Sequence, residues 1–133
     1  DNFSHSCLDD GLWMQVPPTP RKANTVPVVK NVYINEYMSD NENRYPDEAG
    51  EFDDWVELYN GNDVEVDLGG LYLSDSLNYP SRYRIPSNDP ATTRIPAKGH
   101  TLIWTDSDPK QGPLHANFKL SSDGDHIVLS GYD

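Results

Sequence analysis

Carboxylates are the side chains of this 133-residue chain best placed to do chemistry. Glu36 ends an alternating run, Asp53 and Asp54 precede the segment that starts at Trp55, Glu57 lies inside it, and Asp75 follows Leu73. If their loops converge at one end of a fold, the oxygens match the demand of Ca²⁺ for roughly six to eight hard ligands. The same side chains also serve as turn acceptors and caps of backbone amides, and both readings stay open. The stretch Asp40 to Glu51 has the length and final glutamate of an EF-hand loop. Arg44 falls where a ligand belongs and Gly50 comes late, so it is not read as one.

Signs of catalysis are few. No Gly-x-Ser-x-Gly elbow surrounds a serine, and no glycine-rich loop with a lysine is built to cradle phosphate. His5, His100, His115 and His126 lack zinc-ligand spacing, and Cys7, the one cysteine, has no second thiol to join. Glu36 and Glu57 are a conceivable glycosidase pair, although sequence does not give their separation and such pairs are commonly structural. His115 is read as a hydrogen-bonded structural residue ahead of a catalytic base. The enzyme reading therefore ranks last.

Tyrosines and arginines supply another candidate. Tyr72, Tyr79 and Tyr83 lie near Arg82 and Arg84, a composition common where a glycan or protein partner docks. The competing reading is cross-strand pairing on a solvent-facing sheet. Ten Lys+Arg against 22 Asp+Glu give a net charge of −12. That balance repels phosphate backbones and anionic lipid heads, which excludes nucleic-acid binding through a basic face. No apolar run reaches the roughly 20 residues of a membrane helix, and direct membrane insertion is not expected. Nor do the first residues resemble a signal peptide, since they lack a basic start and an apolar stretch.

These residues need elements to position them. Residues 1–27 read as an extended tail or linker, broken by Pro17, Pro18, Pro20 and Pro27, with Leu12, Trp13 and Met14 as a small apolar knot. Trp13 is read as docking on the domain edge or as a partner anchor. Residues 28–133 read as one domain of short strands. Val28 to Tyr37 is the first core strand, and Trp55 to Tyr59 alternates, with Val56 and Leu58 on one face and Trp55, Glu57 and Tyr59 on the other. Asn60-Gly61-Asn62-Asp63 signals a hairpin, for which Val64 and Val66 supply the return strand. Further strands are expected at Leu71 to Leu73, at Arg82 to Ile85 before Pro86, at Thr101 to Thr105, and at Ile127 to Leu129. Eleven prolines and the lack of a 3.6-residue period argue against long helices. Seven or eight short strands imply an antiparallel sandwich.

The phrases Ile34-Asn35-Glu36, Asp54 to Asn60, Asp67-Leu68-Gly69-Gly70-Leu71-Tyr72-Leu73-Ser74-Asp75, Ile95 to Gly99, and His115-Ala116-Asn117-Phe118-Lys119-Leu120-Ser121 occur here in one order. In that order the chain resembles the bacterial lamin-tail domains, from about Val28 to Leu129. The resemblance implies an all-β, immunoglobulin-like antiparallel β-sandwich preceded by an extended N-terminal tail. It also implies structural roles for Asn35, Glu36, Trp55, Glu57, Leu58, Tyr59, Asn60, Asp67, Leu68, Gly70, Leu73, Ser74, Asp75, Pro96, Gly99, Trp104, His115, Asn117, Phe118 and Leu120. The tail before Lys30 and the loop from Asp40 to Asp53 fall outside the shared pattern. Bacterial members usually continue past the final strand, so the domain is either short or lacks a closing strand, and an open sheet edge would invite self-association.

The expectation is a non-catalytic protein-interaction or spacer module within a larger exported or cell-surface bacterial protein, a location implied by the resemblance. The alternative is a Ca²⁺-stabilised adhesion or carbohydrate-binding module. No cofactor is required, and Ca²⁺ is the one ion the acidic loops suggest. A filament role is not expected, because no heptad run exists to build a coiled coil.

Overall fold

The structure is a computed structural model that describes residues 4–7, 13–16, 30–123 and 126–131. Alternating apolar residues set the architecture. In β4 (Trp55–Asn60), Val56, Leu58 and Asn60 share the inner face and are fully buried. β4 lies centrally, antiparallel to both β3 (Val32–Met38) and β9 (His100–Trp104). Register places Ile34 opposite Leu58 on one side and Ile103 opposite Val56 on the other, so the three strands present one apolar surface. A bulge between Ile34 and Glu36 interrupts the β3 pairing.

The second layer is β6 (Tyr72–Ser74), flanked antiparallel by β7 (Tyr83–Arg84) and β10 (Val128–Ser130). Leu73 from β6 and Tyr83 from β7 join Val56, Leu58 and Ile103 in one buried cluster with Leu68, Leu71, Ile85, Ile95, Ala116, Phe118 and Leu120. Each large aliphatic side chain removed from water there contributes about 1.5–3 kcal/mol. The chain is thus an antiparallel all-β sandwich whose single core lies between its two three-stranded sheets. Phe118 and Leu120 are buried in it.

Small elements close the side of the core. β5 (Val66–Asp67) pairs antiparallel with β8 (Arg94–Ile95), which follows the single turn α1 (Pro90–Thr93). Proline begins α1 at a position where no amide donor is needed. Asp67 joins the two segments: its Oδ1 accepts from the Gly69 amide at 2.8 Å and the Thr93 hydroxyl at 2.6 Å. At Gly69 a Cβ would lie 2.9 Å from the Ser87 Cα, so the close approach of two backbones requires glycine. Gly70 takes φ +93, the other demand of this turn.

Two expectations change. Val64 and Val66 do not form the return strand of a β4 hairpin: Val64 is exposed, β5 pairs with β8, and both flanks of β4 are occupied by β3 and β9. The Asn60–Asp63 turn instead ties three segments together. Asn60 Nδ2 reaches the carbonyls of Val64, Ile95 and Pro96, and the Gly61 amide donates to Asn31 O at 2.7 Å. Within the expected tail, β1 (Ser4–Cys7) and β2 (Trp13–Val16) form an antiparallel hairpin, in line with the β-prone run Trp13-Met14-Gln15-Val16. The remaining tail residues, and the two readings of the Trp13 side chain, lie outside the described residues. Trp55, finally, sits on the outer face as expected yet is only 3% exposed. Tyr45 from the long acidic loop packs edge-on against it at 6.0 Å, and Trp104 is its cross-strand neighbour.

Candidate functional site

The loop from Asp40 to Asp54, which joins β3 to β4, is shaped by two internal pegs. Asn41 is buried. Its Nδ2 donates to the carbonyls of Tyr45 and Asp53, both at 2.9 Å, and its Oδ1 accepts from the Arg44 amide. Asp47 is the second peg: its Oδ1 accepts from the amides of Ala49 at 2.8 Å and Glu51 at 2.9 Å. Gly50, at φ +83, lets the chain turn back so that Asp47 N can reach Glu51 O at 2.8 Å. Short side chains that accept from nearby amides order such a segment without any core of its own.

This loop meets the segment after β9 at His115, which is 1% exposed. His115 Nδ1 lies 2.5 Å from Asp106 Oδ2, and Nε2 lies 2.7 Å from Glu48 Oε1. Asp106 Oδ1 accepts in turn from the Asp108 amide at 2.9 Å. Burial alone would lower the pKa of the ring. The two carboxylate hydrogen bonds and charges outweigh it, so His115 stands above its ordinary 6.5. With each ring nitrogen within hydrogen-bond distance of a carboxylate, His115 clamps the two segments together. Nearby, burial and then the Asp106 charge push the Tyr83 phenol up to about 12, and its hydroxyl donates to Pro113 O at 2.7 Å.

Beside the clamp, acidic oxygens crowd together. Carboxylate oxygens of Asp47, Glu51 and Asp53 lie within 4.8 Å of one another, and Asp47 forms a second such group with Asp106 and His115. Glu51, Asp53, Asp106, Asp108, Gln111 and Lys119 line an open cleft of about 340 Å³. Burial first, then the charges of Asp106, Glu51 and Asp47, raise the pKa of Asp53, while Lys119 opposes the rise.

The five carboxylates singled out from sequence do not converge. Glu36 and Glu57 are register partners on the outer sheet face, where Glu57 Oε1 accepts from Asn35 Nδ2 at 2.7 Å. Asp54 accepts from the Asn41 amide, and Asp75 forms an ion pair with Arg82, Nε to Oδ1 at 3.1 Å. Only Asp53 lies in the acidic group. The tyrosine patch is likewise divided: Tyr83 is buried because its ring points into the core, Tyr72 is half-buried, and Arg82 is held by Asp75. Tyr79 and Arg84 remain exposed. Sequence reading missed Asp47, Glu51, Asp106 and Gln111. The Asp47-Glu48-Ala49-Gly50-Glu51 run carried a signal, an aspartate before a glycine turn, but it lay inside a loop considered only as an EF-hand.

No curated protein and no solved structure matches the chain. The family model described as Lamin Tail Domain matches residues 25–131, a span that contains both three-stranded sheets, the core and the histidine clamp. By that match over most of its length, the chain belongs to the lamin tail domain family, whose members share an immunoglobulin-like fold.

Proposed function

We propose that this domain is a non-catalytic interaction or spacer module within a larger exported bacterial protein. The observation that carries the reading is the state of His115. It is the one histidine inside a family phrase, and it is buried with both nitrogens engaged by carboxylates of its own chain, out of reach of a substrate. The immunoglobulin-like family to which it belongs is consistent with such a role. A screen of ester, phosphodiester, phosphomonoester and glycoside substrates tests it. Turnover that vanishes in Glu57→Gln or His115→Gln at an unchanged unfolding midpoint would reverse the assignment.

A second reading, a Ca²⁺-stabilised adhesion or carbohydrate-recognition module, draws support from the oxygen-rich cleft next to the clamp. Its test is a glycan array with and without Ca²⁺. Signal that depends on the ion and falls on replacement of Tyr79 or Arg84 supports recognition through that exposed face, and a blank array counts against it.

A further inference from the structure

Two buried oxygens beside the clamp have no hydrogen-bond partner among the described residues. One is Asp47 Oδ2, on a side chain only 7% exposed whose other oxygen already serves two amides. The other is Gln111 Oε1. The Gln111 amide is oriented by its Nε2, which donates to Glu51 Oε2 at 2.8 Å, and the reversed amide would set two acceptors against each other. Buried acceptors left without donors are costly; Asp47 belongs to the crowded acidic group and Gln111 to the lining of the adjoining cleft.

We propose that the cleft between the 47–53 loop and the 106–111 segment is a Ca²⁺ site, with Asp47, Glu51, Asp53 and the Gln111 carbonyl oxygen as its protein ligands. Ca²⁺ holds oxygens at about 2.4 Å, so ligands across its shell stand about 4.8 Å apart. Carboxylate oxygens of Asp47, Glu51 and Asp53 lie close enough together to reach one shared ion. Mg²⁺ keeps much of its water and is rarely held by a set of several protein oxygens, so crowded carboxylates with an amide oxygen suit Ca²⁺ better. A softer transition metal would seek nitrogen, and the nitrogens of His115 are taken by Asp106 and Glu48. Asp106 is likewise occupied, by His115 and the Asp108 amide, and contributes negative potential in place of a bond to the ion. Lys119 lines the cleft as a competing positive charge. The site joins two loops far apart in sequence, so an ion there would fasten the β3–β4 loop to the segment that carries Asp106. This inference deepens the second reading above by naming the ligands of the ion. It is tested without any glycan, so failure of glycan recognition leaves it standing.

The experiment is isothermal titration of the metal-stripped chain with Ca²⁺, paired with thermal unfolding in EDTA and in millimolar Ca²⁺. One ion per chain and a midpoint several degrees higher are expected. Asp53→Asn should weaken binding by about tenfold or more. Because it relieves crowding of like charges, the same variant should unfold in EDTA at or above the temperature of the parent. That separates loss of a ligand from loss of the fold. Lys119→Gln should bind more tightly, and Glu36→Gln with Glu57→Gln should bind as the parent does. Absence of heat and of a midpoint shift in the parent would overturn the site and leave water as the partner of the orphaned oxygens. Full Ca²⁺ response in Asp53→Asn, or an equal midpoint rise in NaCl of matched ionic strength, would overturn it too.

Discussion

His115 shows how one residue can hold two loops and still be mistaken for a catalyst. Its two carboxylate partners are not equivalent: the Asp106 side chain is 2% exposed and the Glu48 side chain 65%. Removing the ring strands a buried carboxylate, which typically costs about 3 kcal/mol or more, whereas an exposed ion pair contributes less than about 1 kcal/mol. Urea denaturation should therefore show His115→Ala losing about 3 kcal/mol and Glu48→Gln losing less than about 1 kcal/mol. The pH dependence has a definite sign. A histidine with its folded pKa above the unfolded value of 6.5 adds stability that is complete below that value and disappears as pH rises through the folded pKa. In EDTA, the unfolding midpoint of the parent should fall as pH rises past neutrality, and that slope should flatten in His115→Ala. An equal slope in both proteins would show that His115 does not titrate above its ordinary value when folded. Sequence marked His115 as structural, but Glu48 lies 67 positions away, and no local pattern announces such a partner.

At the scale of elements, alternation made the strands legible and the turns less so. Val56 and Leu58, and likewise Tyr83 and Ile85, fall on buried faces because a two-residue period leaves a half-buried strand no other choice. Strand pairing was harder. Asn-Gly at positions 60 and 61 signals a tight hairpin on local grounds, yet long-range partners decide the outcome: β9 occupies the flank that the hairpin required. Asn60 is the better guide to what that turn does. Fully buried, it donates toward three carbonyls through Nδ2 and accepts from the Asn62 amide at 2.9 Å. Replacing it with alanine leaves several backbone groups without partners at once, each at about 1–3 kcal/mol if it stays dry. Asn60→Ala should thus lower stability in urea by about 3 kcal/mol, well beyond the effect of Asn62→Ala at the half-buried neighbouring position. Equal effects would mean that water replaces the lost bonds. The acidic loop was illegible for a related reason. Asn41, Asp47 and Gln111 act through contacts with backbone and with one another, and composition shows only that the segment is polar.

The whole molecule carries a net charge of −12 on a small sandwich, which governs how its copies meet. Among the described residues, β3 is an edge strand, and Tyr33 and Tyr37 on it are more than half exposed. An edge of that kind is a template for a second copy. Two features oppose the pairing. The bulge between Ile34 and Glu36 breaks the ladder, and Glu36 and Glu57 add to the like charge that two approaching copies would bring together. The balance should depend on salt, because screening shrinks the range of that repulsion from about 30 Å at 0.01 M to about 3 Å at 1 M while leaving apolar contact intact. Sedimentation velocity in EDTA should show a monomer at low ionic strength and a weak, concentration-dependent dimer near 1 M NaCl. Tyr37→Asp should abolish the dimer, and Glu36→Thr should bring it on at lower salt. A monomer at every salt concentration would show that the bulge alone protects the edge. Any partner of this module would then have to be sought on a surface other than β3.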